Sequence, residues 1–277
     1  MPLHIMHRRW DNRRADDFAR SLLRLTRARR PPMLCAMDGT SLTIVLPCFN
    51  EAANIERTVR DCAAWMQQRT ISGEIIAVDD GSTDRTSAIL EQLRMQIPSL
   101  RMVRHEHNQG YGIAVRSGID AARTEIVAFM DSDGQFCARD FDLLLPHLDT
   151  FPFAAGRRRR RADSFTRNML GKVLGLMNWI ALGLWVRDVN CGMKVMCRDL
   201  WPAIRPTHGV EKLFNTEMFL RLKENGIAWA TVDVPHFPRR AGSPTGAKLS
   251  VILRMFSELR GLRRVRSSLR AAHERSS

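Results

Sequence analysis

The sequence predicts an α/β fold with a Rossmann-like, mostly parallel sheet flanked by helices. Three observations lead there. Short apolar runs recur at "LTIVLP", "EIIAVDD", "LRMVRHE" and "EIVAFMD". Stretches with apolar residues at helical spacing separate them. Hydrophobic residues make up 44% of the 277, enough to bury a core in one large domain.

Taken in order, residues 1–40 are Arg-rich and end in "RRPPM". They are expected to form a basic extension, disordered or carrying one amphipathic helix through Phe18, Leu22 and Leu25. The first twenty residues lack the apolar run of a secretory signal. After the first strand, "NEAANIERTVRDCAAWMQQ" places Ile55, Val59, Cys62 and Met66 on one helix face, with Asn50 as the expected cap. "GSTDRTSAILEQL" reads as a turn entering a helix, with Ser82, or Asp80 before it, capping. "NQGYGIAVRSGIDAA" is a Gly-rich turn and helix that precedes the fourth strand.

The segment Met169 to Val186 is apolar but holds Lys172 and Asn178. Its uninterrupted length falls short of the ~20 residues a membrane span needs, so a surface-lying helix or a buried helix pair is expected. Six Cys at 35, 48, 62, 137, 191 and 197 form no CxxC pair. They read as reduced thiols of a cytosolic protein. Lys and Arg total 43 against 29 acids, a formal charge of +14, which calls for an anionic partner. Phosphates, an anionic bilayer and nucleic acid all qualify.

In parallel sheets ligands bind beyond the carboxyl ends of the strands. Three strands end in polar clusters: "PCFNE" (Pro47 to Glu51), "DDGSTD" (Asp79 to Asp84) and "DSDGQ" (Asp131 to Gln135). All three are therefore expected at one crevice. Asp79, with Glu51 beside it, can accept hydrogen bonds from a ribose or a base. Asp131 and Asp133 in a turn, with the Gln135 carbonyl, suit a Mg²⁺ or Mn²⁺ that keeps room for substrate phosphates. His105, His107 and His236 show no metal-ligand spacing and read as structural.

"LPCFNEAANI", "AVDDGSTDRT", "NQGYGIAVRSGIDAA" and "FMDSDGQF" together resemble family 2 of the inverting glycosyltransferases, with the GT-A fold. The chain is most similar to the dolichyl-phosphate mannose synthase and polyprenyl-phosphate glycosyltransferase branch. "RDVNCGMKVMCRD" and "VPHFPRRAGSPTGAKLS" carry that closer likeness. The resemblance implies a catalytic domain over 41–262, with a nucleotide-sugar half (41–145) and an acceptor-facing half (146–262), followed by a basic tail (263–277). It implies nucleotide-sugar contacts at Pro47, Phe49, Glu51, Asp79, Asp131, Ser132, Arg158 (or Arg157 beside it), Arg239 and Lys248. Asp133 and Gln135 would hold the metal, and Asp133 and Arg239 would act in catalysis. The branch usually has Tyr where Phe49 stands, and a shorter step between the late Arg and Lys.

The implied substrates are a nucleotide-diphosphate sugar, of the GDP-mannose or UDP-glucose type, and a polyprenyl phosphate. The run Arg157 to Arg161 would face the acceptor phosphate and headgroups. Trp179 and Trp185 would meet a bilayer interface or pack in the core. The expected place is the cytoplasmic face of the membrane, held peripherally, with an integral membrane partner. Glu217 has two readings: the base for a hydroxyl acceptor in other members of the family, or a group that orients a loop or pairs with an Arg. A nucleic-acid-binding protein on a degenerate scaffold is the remaining alternative, disfavoured by the intact metal ligands.

Overall fold

The computed structural model describes residues 41–159, 175, 179–209, 213–239, 258–268 and 270. Seven strands form one sheet. They are β1 (Ser41–Cys48), β2 (Ser72–Asp79), β3 (Leu100–Arg104), β4 (Ile126–Met130), β5 (Phe153–Arg158), β6 (Met193–Cys197) and β7 (Ala230–Val234). Their order is β3-β2-β1-β4-β6-β5-β7. The main helices are α1 (Ile55–Gln68), α2 (Thr86–Gln96), α3 (Tyr111–Ala121) and α4 (Phe214–Glu224).

The four anticipated strands pair in parallel, as the apolar runs require. Within this mostly parallel sheet β6 runs antiparallel to both β4 and β5. β5 to β7 were not legible as strands because their residues imitate other things. β5 ends in Arg157 and Arg158, which read as a charge run, and β6 carries a Lys at its centre.

One apolar cluster packs α1 and α2 on one face of the sheet; the other packs α3 and α4 on the opposite face. α1 buries Ile55, Val59, Cys62, Trp65 and Met66, each large apolar side chain contributing roughly 1.5–3 kcal/mol. Gly118 of α3 lies directly on β1 and β2, where an added Cβ would sit 2.3 Å from Val45 Cγ1.

The register brings the strand ends level. Cys48 pairs with Asp79, and Val45 with Phe129. The turns after β1, β2 and β4 therefore share one edge. β1 lies between β2 and β4, so the chain's direction of winding switches there, the usual place for a ligand crevice.

Two local expectations are corrected. Asn50 does not cap α1, which starts at Ile55. It occupies a left-handed turn (φ 55), and its Oδ1 accepts from the backbone N–H groups of Thr83 (2.8 Å) and Asp84 (3.3 Å). A short amide side chain tolerates that conformation and bonds nearby backbone. Ser82 does not cap α2; its Oγ accepts from Asn50 N–H at 3.0 Å, and Asp84 Oδ1 accepts from Thr86 N–H at 2.9 Å instead. Residues 258–268 are helical, with Leu262 and Val265 buried.

Candidate active site

The turns after β1 and β2 are stitched together before any ligand arrives. Glu51 N–H donates to Thr86 Oγ1 (2.9 Å) and Ala52 N–H to Asp84 Oδ2 (3.1 Å). Asp80 accepts from Gln109 N–H, Gly110 N–H and the His105 ring, so it anchors the turn into α3. His105 is thus structural, as expected.

Asp79 is fully buried. Ser82 N–H donates to its Oδ1 at 3.0 Å, Ser87 Oγ donates to its Oδ2, and Arg104 Nε lies 3.9 Å away. Its buried carboxylate shapes the turn and lies beside the exposed Arg104, a residue that no sequence motif singled out. Phe49 is 37% exposed at the end of β1, an available face for a planar base. The Pro47 carbonyl accepts from Ser132 Oγ at 2.6 Å, and Ser132 is itself buried. That hydroxyl locks β4 to β1, so a ligand would meet the backbone of Ser132 and not its side chain.

Glu51 and Asp133 are brought together with Arg239. Arg239 donates to Glu51 Oε1, and its other terminal nitrogen lies 4.0 Å from Asp133 Oδ2. Asn54 Nδ2 holds the other Glu51 oxygen at 2.8 Å. The segment bearing Arg239 is fastened across the crevice by Gln135: Phe237 N–H donates to the Gln135 carbonyl and Gln135 Nε2 to the Phe237 carbonyl, both at 3.0 Å. Burial, then the neighbouring Asp131, push the Asp133 carboxyl up to about 6.

The donor set suits a partly substrate-held metal. Gln135 commits its NH₂ end to the Phe237 carbonyl, which leaves the amide oxygen as the end that can ligate. Asp133, with its proton affinity raised, gains from a cation nearby. Among the described residues no cluster of three His, Cys, Asp or Glu side chains could hold a metal alone. One or two protein oxygens plus phosphate oxygens is the normal arrangement for Mg²⁺.

Asp131 is held differently. Its N–H donates to the Gly192 carbonyl at 3.1 Å, and its carboxylate packs on the Gly192 backbone. Tyr111, the only tyrosine, donates its hydroxyl to Asp131; burial, then Asp131, hold that phenol well above the usual range. A Cβ at Gly192 would fall 1.9 Å from Asp131 Oδ2. Gly192→Ala is therefore expected to displace Asp131 and to lower transfer about 100-fold, with a smaller effect on the melting temperature. A steady-state assay beside a thermal melt checks this.

Behind Gly192 lies Lys194, fully buried. Its ammonium donates to the Cys191 carbonyl and lies 5.1 Å and 5.8 Å from the ring centroids of Phe129 and Phe219. Burial lowers it to about 8. It pins the 188–192 turn from below and places positive charge beneath Asp131. Gly192 and Lys194 were seen only as parts of a motif; what each touches is set by β6 running antiparallel beside β4.

Arg158 and Glu217 are both held by protein partners. Arg158 is committed to an acidic partner. It forks onto Asp188, with Nε–Oδ2 at 2.8 Å and Nη2–Oδ1 at 2.5 Å, and Arg157 pairs with Asp233. Both lie on β5, where acidic partners from neighbouring elements lie within reach. Of the two readings of Glu217, its contacts match the second, a group that holds a loop and pairs with an Arg. It is fully buried and accepts from the N–H groups of Thr207 (2.9 Å), His208 (2.8 Å) and Gly209 (2.7 Å), and from Arg221. Burial raises its pKa, but those hydrogen bonds outweigh it and hold the carboxyl below the ordinary range. A depressed carboxyl stabilises the fold above its unfolded pKa, and that contribution is lost as pH falls through the folded one. Glu217→Gln is expected to cost about 3 kcal/mol and to lower the melting temperature by roughly 6–12 °C. The folded fraction should keep its turnover; a stable but inactive variant would restore the base reading.

Lys248, Arg160, Arg161 and residues 169–174 lie outside the described residues. In the following stretch Trp179, Ile180 and Trp185 are 53%, 69% and 66% exposed, while Leu182 and Leu184 are buried. Among the described residues no helix is long and apolar enough to cross a membrane. The five described cysteines are unpaired thiols.

The family model described as Glycosyl transferase family 2 matches residues 43–202. A dolichyl-phosphate beta-glucosyltransferase of Trichomonas vaginalis is 27% identical over 221 residues, 73% of this chain and 66% of that protein. An undecaprenyl-phosphate 4-deoxy-4-formamido-L-arabinose transferase of Proteus mirabilis is 26% identical over 227 residues, 79% of this chain and 66% of that one. The chain thus spans just under two thirds of the length of both relatives. Among solved structures, glucosyl-3-phosphoglycerate synthase of Mycobacterium tuberculosis, in complex with Mn²⁺, UDP-glucose and phosphoglyceric acid, superposes with a TM-score of 0.57. It is 22% identical, with 80% of each chain covered, a likeness of fold.

Proposed function

Because the chain belongs to glycosyl transferase family 2, we propose that it moves a hexose from a nucleotide-diphosphate sugar to a polyprenyl phosphate, with inversion. The observation that carries this reading is the meeting of Glu51, Asp133, Gln135 and Arg239 at one crevice. The similarity to transferases named for dolichyl and undecaprenyl phosphates supports the acceptor. The donor is of the UDP-glucose or GDP-mannose type.

Asp133 and the Gln135 side-chain oxygen would hold Mg²⁺ or Mn²⁺, which when bound supplies positive charge to the departing diphosphate. Phe49 would lie against the base, with Asp79 supporting that end of the crevice. Arg239 neutralises Glu51 before the donor arrives and lies close enough to Asp133 to follow negative charge as it develops on the leaving group. Lys248 is assigned to the same task. An acceptor phosphate oxygen attacks the anomeric carbon opposite the leaving group. The carbon–oxygen bond to the diphosphate breaks, and its electron pair leaves with the nucleoside diphosphate.

The phosphate acceptor is favoured over a hydroxyl by Glu217. A phosphate is already ionised at pH 7 and needs no general base, while the carboxylate assigned to a base is enclosed by the 207–209 backbone. The exposed Trp179, Ile180 and Trp185 suit peripheral contact with the cytoplasmic face of a bilayer, where such an acceptor is found. The test compares polyprenyl phosphate with the free polyprenol as acceptors. Label on the phosphate alone is expected. Label on the alcohol, lost in Glu217→Gln, would support the hydroxyl reading.

A further inference from the structure

Asn215, in the first turn of α4, is only 3% exposed. Its Nδ2 reaches Asn190 Oδ1 at 3.5 Å, and its own Oδ1 has no hydrogen-bond partner among the described residues. Buried polar atoms are nearly always partnered. Rotating the amide by half a turn only exchanges which of its two ends is left over. Asn190, half-buried in the 188–192 turn, is the side chain it reaches.

Their sequence neighbours locate the pair. Asn190 stands two residues before Gly192, which presses on the Asp131 carboxylate. Asn215 follows Phe214, which packs edge-on against Tyr111 at 6.4 Å, and the Tyr111 hydroxyl bonds Asp131. Both walls that hold Asp131 therefore lead to these amides. They hang from the β6 and α4 side of β4. Phe49, Glu51 and Asp79 belong to β1 and β2, on the other side of β4. A donor with its base near Phe49 and its diphosphate at Asp133 would carry its sugar toward the amides.

We propose that Asn190 and Asn215 seat the hydroxyl groups of the transferred sugar, a role that rests on the nucleotide-sugar reading above. Two facing amides present both donors and acceptors, the complement of neighbouring hydroxyls. The unpartnered Asn215 oxygen is satisfied when a sugar hydroxyl donates to it. Lys194, through the Cys191 carbonyl, keeps the turn carrying Asn190 in place.

The test measures binding of UDP, GDP, UDP-glucose and GDP-mannose, each with Mn²⁺, by calorimetry. The full chain, Asn215→Leu and Asn190→Ala are compared, with a thermal melt of each. Both variants should bind the free nucleoside diphosphate like the parent, and the preferred nucleotide sugar about tenfold more weakly. Asn215→Leu should melt no lower, because it removes a buried polar group left unmatched. Equal losses for nucleoside diphosphate and nucleotide sugar, or no loss for either, would overturn the proposal. If Asn215→Leu does not fold, Asn190→Ala in its half-buried turn decides alone. A parent protein that binds none of the four ligands would instead overturn the nucleotide-sugar reading itself, and this assignment with it.

Discussion

Asp133→Asn is expected to reduce transfer by about 1000-fold or more, because it removes the one carboxylate assigned to the metal. The substitution keeps size and one carbonyl oxygen, so the fold should persist. The same side chain predicts a pH dependence. With its pKa raised to about 6, Asp133 binds a proton in competition with the cation as pH falls through 6. Activity should decline along that acid limb, and higher Mg²⁺ should move the limb to lower pH. Stability of the metal-free protein runs the opposite way. Between the unfolded carboxyl value and about 6 the folded state binds the extra proton, so this group's penalty is complete above 6 and relieved as pH falls. Asp133→Asn should therefore melt higher than the parent at pH 7 without metal. Melts across pH with and without Mg²⁺ check both signs.

Arg239→Ala is expected to lower kcat by about 100- to 1000-fold, the usual cost of losing a donor aimed at developing charge. The effect should be larger on kcat than on the KM for the donor. Arg239→Lys should recover part of the loss, since the charge returns without the two-pronged reach that spans Glu51 and Asp133. Removing Arg239 also leaves Glu51, 11% exposed at its side chain, without its cation. A compensating rise in metal affinity is expected and is read by titration.

How far the sequence reveals this site depends on the range of the interactions. The strand ends at Pro47–Glu51, Asp79–Asp84 and Asp131–Gln135 were legible because apolar runs end there and parallel strands finish on one edge. The convergence of Glu51 with Arg239, 188 residues apart, needed the late segment's resemblance to the family. Ser132 shows the limit of motif transfer. Its place beside the carboxylates was right, but its hydroxyl turns inward to the Pro47 carbonyl. Arg158 and Glu217 show another limit. A charged residue in a motif looks available until the fold supplies a partner, here Asp188 from the turn before β6 and three N–H groups from the 207–209 turn. Tyr111, Gly192 and Lys194 were hidden for the same reason: each acts on Asp131 from another element. A tyrosine in the Gly-rich turn and a Gly-Met-Lys step were the only local signals.

The central claim is a metal-dependent transfer from a nucleotide sugar to a lipid phosphate. Its most direct test offers radiolabelled UDP-glucose and GDP-mannose, with Mg²⁺ or Mn²⁺, to the protein and polyprenyl phosphate, and counts label in the organic phase. One donor should deliver label, lost with EDTA and in Asp133→Asn. Label from neither donor, or label that survives both EDTA and the substitution, would contradict the account.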